Sequence, residues 1–66
     1  MINAIKRARL IEGLTQMELA QKLGVSAVSV CKWETGKTFP SSKRLKRVAE
    51  ALNTTVSELL KEERAV

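Results

Sequence analysis

At 66 residues the chain holds one small domain, close to the lower size at which a hydrophobic core sustains a fold unaided. With 44% hydrophobic residues, three Gly and one Pro, the composition excludes a disordered or low-complexity chain and favours helices. Twelve Lys and Arg against seven acidic residues give a net charge of +5, divided as +7 over residues 1–47 and −2 over 48–66, which points to a polyanionic partner met by a basic working face.

The spacing predicts a first helix from about Asn3 to Glu12, with Ile2, Ile5 and Arg9 on one face, ending at Gly13 as a left-handed cap. Leu14 leads into the next helix. Thr15 and Glu18 make a capping box, in which a hydroxyl and a carboxylate each accept from backbone N–H groups that a helix start leaves unpaired. It opens a second helix, Gln16–Leu23, with Leu19, Ala20 and Leu23 inward and Gly24 at its end. Val25 and Ser26 connect, and Ser26 caps a third helix from Ala27 to about Thr35. At about 100° per residue, Val30, Trp33 and Glu34 fall on the inner face of that helix and Val28, Cys31, Lys32 and Thr35 on the outer one. Gly36 closes it. Pro40 and Ser41-Ser42 mark a loop, after which a fourth helix runs from about Ser42 to Leu52, burying Leu45, Val48, Ala49 and Leu52, with Asn53 at its end. Thr55 and Glu58 repeat the capping box before a short fifth helix, Val56 to about Glu62, with Val56, Leu59 and Leu60 apolar. Residues 64–66 are expected to fray, and the short connections read as one domain over 1–66.

Two short helices joined by a Gly-containing turn of about three or four residues form a helix-turn-helix, whose second helix enters the DNA major groove. Residues 16 to 35 fit that pattern, although a helical hairpin without function shares its small Ala20 and its Gly24 turn. The blocks Ala8-Arg9, Leu14-Thr15-Gln16-Met17-Glu18-Leu19-Ala20, Leu23-Gly24-Val25-Ser26, Trp33-Glu34-Thr35-Gly36-Lys37 and Pro40, in that order between Ile5 and Leu60, resemble the XRE or Cro/CI family of phage repressors. The resemblance implies an all-α, five-helix lambda repressor-like domain that binds operator DNA.

Carried over by position, the resemblance gives Gln16 a phosphate contact and a bracing role at the DNA end of the reading helix; an exposed polar residue is the alternative. Ala27, Val28 and Lys32 match base-reading positions, with Ser29 and Cys31 beside them. The chemistry agrees: Val28 and Ala27 suit thymine methyl groups, and Lys32 can donate to guanine O6 and N7. A phosphate contact without sequence information competes as the role of Lys32. Family members that read adenine carry paired glutamines here, so a different operator is expected. Arg9 and Glu34 match a buried structural ion pair. Ser26, at the reading helix start, and Gly36, Lys37 and Thr38, in the loop after it, are candidate phosphate contacts, the loop through backbone N–H groups, ammonium and hydroxyl. Lys43 and Arg44 either extend that track or form a solvated face.

The chain has no His and no Asp, and Cys31 is its lone cysteine, so it lacks a nucleophile paired with a base, a disulfide and a zinc cluster. An enzyme, a metal and any other cofactor are not expected. No apolar run approaches the ~18 residues of a bilayer span, and charges interrupt the N-terminal ten residues, so the cytoplasm is the expected compartment. The expected partner is double-stranded DNA bound by a homodimer, with Thr54, Val56, Ser57 and Leu60 in the less basic third as the surface between copies. The rival reading is a protein-interaction module of the same fold, such as an antitoxin or an antagonist-binding regulator. A basic membrane-surface helix fits less well, because the cations are spread over several short capped helices.

Overall fold

The computed structural model describes the backbone of residues 3–64 and the side chains of residues 3–60. Five helices follow one another, α1 (Ala4–Ile11), α2 (Gln16–Leu23), α3 (Ala27–Glu34), α4 (Ser42–Ala51) and α5 (Val56–Arg64), with no strand among the described residues.

Every helix begins at a residue whose side-chain oxygen accepts a backbone N–H three residues on. Asn3 Oδ1 accepts from Lys6 (2.9 Å) and Thr15 Oγ1 from Glu18 (3.1 Å), while Glu18 Oε1 accepts from Thr15 N–H (2.8 Å) to complete that capping box. Ser26, Ser41 and Thr55 hydroxyls accept from Ser29 (3.2 Å), Arg44 (3.3 Å) and Glu58 (3.1 Å). Each such cap stabilises its helix by about 1 kcal/mol.

The ends are equally local. At α2, Val25 N–H donates to Ala20 O (3.0 Å) and Gly24 N–H to Gln21 O (3.4 Å), which requires the left-handed φ of +71° that Gly24 adopts. Asn53 repeats the arrangement after α4 at φ +55°, a conformation Asn tolerates better than most residues.

Several boundaries differ from the sequence expectation. Asn3 and Glu12 cap α1 instead of belonging to it, and Thr35 and Leu52 are the C-caps of α3 and α4, while α4 begins at Ser42 as expected, capped by Ser41. In each case a residue at the edge of the periodic pattern satisfies the helix end from outside. α5 continues through Arg64, beyond Glu62, because Lys61 to Arg64 contains only good helix formers. Ile2 and residues 65–66 lie outside the described residues.

The core is Ile5, Leu19, Ala20, Leu23, Val30, Trp33, Leu45, Val48, Ala49, Leu52 and Leu59, so every helix contributes. α2 packs chiefly on α3, α1 lies against α5, and α4 meets both α2 and α5. The result for function is that α3 is gripped along one side only.

Candidate nucleic-acid interface

The inner side of α3 is fixed by Val30, which is fully buried, by Trp33 at 5% exposure and by Glu34 at 7%. These positions recur with the helical period, so the opposite side must face out. Val28 is 62% exposed, and Cys31 and Lys32 are exposed beside it. Ala27 and Ser29 stand at the edges of this face, half-buried, with Ala27 partly packed on the core. The Ser29 hydroxyl lies 3.2 Å from that of Ser26, so one hydrogen bond joins the two hydroxyls at the start of the helix. The five base-reading candidates thus divide into an open trio and two partly occupied flanks.

A polar network holds the other end of α3. Arg9 Nε donates to Glu34 Oε2 at 2.6 Å and Nη2 to Oε1 at 3.1 Å, a two-pronged pair buried between α1 and α3. Arg9 Nη1 also donates to Leu14 O at 2.6 Å, which ties the pair to the connection before α2. Gln16 Nε2 donates to Glu34 Oε1 at 3.0 Å, and Asn3 Nδ2 to Trp33 O at 2.7 Å. No buried side-chain nitrogen or oxygen among the described residues lacks a partner, the condition under which a buried ion pair is tolerated.

Gln16 braces α3 at Glu34, the last residue of that helix. The reason is reach: Gln16 is the first residue of α2, beside the pair formed by Arg9 and Glu34. In the loop after α3, the N–H groups of Gly36, Lys37 and Thr38 are not free for an anion. They donate to Trp33 O (3.4 Å), Lys32 O (3.0 Å) and Lys32 O (3.3 Å), because the last carbonyls of a helix need donors. What the loop offers outward is the exposed Lys37 ammonium and Thr38 hydroxyl.

Ser26, Lys43 and Arg44 are exposed, the last two in the first turn of α4. Of the residues expected between copies, Ser57 is exposed, Thr54 is half-buried, and Val56 and Leu60 are partly packed on the chain's own core. Asn3 also helps hold α3, from outside the residues the sequence singles out. Its local signal, a capping residue before a helix, is readable, but its bond to Trp33 spans 30 positions and leaves no trace in local sequence.

Among the described residues no group of His, Cys, Asp or Glu side chains comes together as a metal site, and no helix is long and apolar enough to cross a membrane.

A helix exposed along one side, following a capped helix and a glycine turn, defines the helix-turn-helix class. The helix-turn-helix family model matches residues 5–59, and the chain belongs to this XRE, Cro/CI type family of DNA-binding transcriptional regulators. It is 36% identical over 62 residues to the HTH-type transcriptional activator BcrR of Enterococcus faecalis, a match covering 94% of this chain and 30% of that protein. It is also 36% identical over 45 residues to the cryptic phage CTXphi transcriptional repressor RstR of Vibrio cholerae serotype O1, covering 68% and 40%. An uncharacterized HTH-type transcriptional regulator of Methanocaldococcus jannaschii is 36% identical over 59 residues, 89% of each chain. The chain therefore spans under half the length of the first two relatives.

Proposed function

We propose that this chain is a sequence-specific regulator, acting as a repressor, that reads a pseudo-palindromic operator by laying α3 in the major groove. The observation that carries the proposal is the division of α3 into a gripped side, Val30, Trp33 and Glu34, and an open side, Val28, Cys31 and Lys32. The methyl groups of the exposed Val28, at the beginning of α3, suit thymine methyls in the groove. Lys32, one turn further on, supplies a donor for guanine or for phosphate. Gln16, Ser26, Gly36, Lys37, Thr38, Lys43 and Arg44 are the residues assigned to the backbone, with Gly36 shaping the loop and its neighbours making the contacts.

Repression is the action assigned because occupancy of an operator suffices for it; of the relatives above, one is named an activator and one a repressor. A homodimer is proposed because one reading helix covers only a few base pairs, and a single module buries only ~600–1,000 Å² on DNA. The cytoplasm is the matching compartment, and no catalytic role is assigned.

The test is selection of bound duplexes from a random pool, followed by titration of the enriched site against a scrambled duplex of the same length. The expected preference is at least about a thousand-fold at physiological salt. Equal affinity for both duplexes would favour the protein-interaction reading and overturn this one.

A further inference from the structure

We propose that Arg47 on α4 and Lys22 on α2 form a second track for the DNA backbone, which carries the duplex flanking the half-site along the side of the domain. The inference rests on the DNA-binding reading above. α4 has Lys43, Arg44, Lys46 and Arg47 within its first six residues, no acidic residue in its first turn and no basic residue in its last. That is the reverse of the order that stabilises a helix, whose N-terminal end carries partial positive charge. All four are exposed, and among the described residues none of them, nor Lys22, is in an ion pair. A charge pattern that works against its own helix and forms no ion pair among the described residues fits a polyanion from outside.

The surface gives this charge a direction. One depression is lined by Ser41, Lys43, Arg44 and Arg47, and a second by Lys22, Leu23, Arg47, Glu50 and Ala51. Arg47 belongs to both, so the cations run from the first turn of α4 through Arg47 to the last turn of α2. Glu50 is the one carboxylate lining either depression. Lys46 lies about 100° around the helix from Arg47 and lines neither.

DNA backbone suits the track better than an acidic protein does. Protein interfaces are centred on apolar or aromatic anchors, whereas here Leu23 is buried and Ala51 half-buried, leaving charge as the outward feature. The track also continues from Lys43 and Arg44, already assigned to phosphate.

The experiment compares the selected site alone with the same site extended by about 10 bp on each side, for the full chain, its Arg47→Gln/Lys22→Gln variant and its Lys46→Gln variant. Two extra phosphate contacts steepen the slope of log K against log salt by about 1.8 per bound copy, roughly a ten-fold larger loss of affinity between about 50 and 200 mM salt. The unmodified chain is expected to show this steepening on the extended duplex only. The double variant should lose it while binding the short duplex as before, and Lys46→Gln should keep it. Equal slopes on both duplexes for the unmodified chain, or equal weakening of both by the double variant, overturns the track. A double variant without effect on either duplex does so too and leaves the patch to an acidic protein. Failure of every duplex to bind specifically is a different result, which removes the DNA reading and this inference together.

Discussion

Removing the Arg9 side chain leaves the Glu34 carboxylate buried with the Gln16 amide as its remaining side-chain partner. An uncompensated buried charge costs about 3–5 kcal/mol, as much as the whole stability expected of so small a domain. Arg9→Ala is therefore expected to be largely unfolded at 25 °C by circular dichroism. Arg9→Met combined with Glu34→Leu removes both charges and should fold. An unchanged denaturation midpoint for Arg9→Ala would show that the pair carries no such weight. On the outer side of α3, Lys32→Ala should shift base preference within the half-site, at a cost of roughly 1–3 kcal/mol for the favoured sequence, while Lys37→Ala weakens all sequences by one factor. Competition with single-base operator variants separates these. A common factor for Lys32→Ala assigns that lysine to phosphate. Cys31 is exposed and is the lone cysteine, so no second thiol in the chain can make an oxidised state persist as a disulfide. Cys31→Ser should bind DNA within about two-fold of the unmodified chain, and mild oxidant should leave binding intact. Loss of binding on oxidation that Cys31→Ser prevents would make it a redox switch.

The turn between α2 and α3 shows how a local signal sets the direction of a helix. A Cβ added at Gly24 meets nothing within 4 Å, so the cost of Gly24→Ala lies in its left-handed φ of +71° alone. That cost is about 1–2 kcal/mol. The variant should lose that much stability in chemical denaturation yet bind the same operator; a changed operator preference would mean that the turn reorients α3. The starts of α2, α3 and α5 were readable because each is written within four residues, as in Thr15 with Glu18 or Ser26 before Ala27. The inner faces of α2, α3 and α4 were readable because burial repeats with the helical period. Contacts across the chain were not, apart from the Arg9–Glu34 pair that the family resemblance implies. Gln16 to Glu34 spans 18 positions and Asn53 to Glu12, at 2.8 Å, spans 41, and neither polar residue announces its partner. The inward turn of the N–H groups at 36–38 was equally hidden, since it depends on the loop wrapping back onto the α3 carbonyls.

For the molecule as a whole, a basic face with one reading helix specifies too little sequence, and two copies related by a two-fold axis double it. The reading helices are then expected about 34 Å apart, one DNA turn, on an inverted repeat. Val56 and Leu60 are partly committed to the chain's own core, which leaves a small surface for pairing. Sedimentation should therefore find monomer in dilute solution and two copies per operator at saturation; a 1:1 complex contradicts the symmetric arrangement. Repeating the random-duplex selection with Val28→Gln and Lys32→Asn together tests whether the open side of α3 selects the bases. These exposed changes leave the buried side of α3 untouched, and amides favour adenine. A new enriched half-site is expected, with the spacing between half-sites unchanged. Recovery of the original motif would contradict base selection by α3.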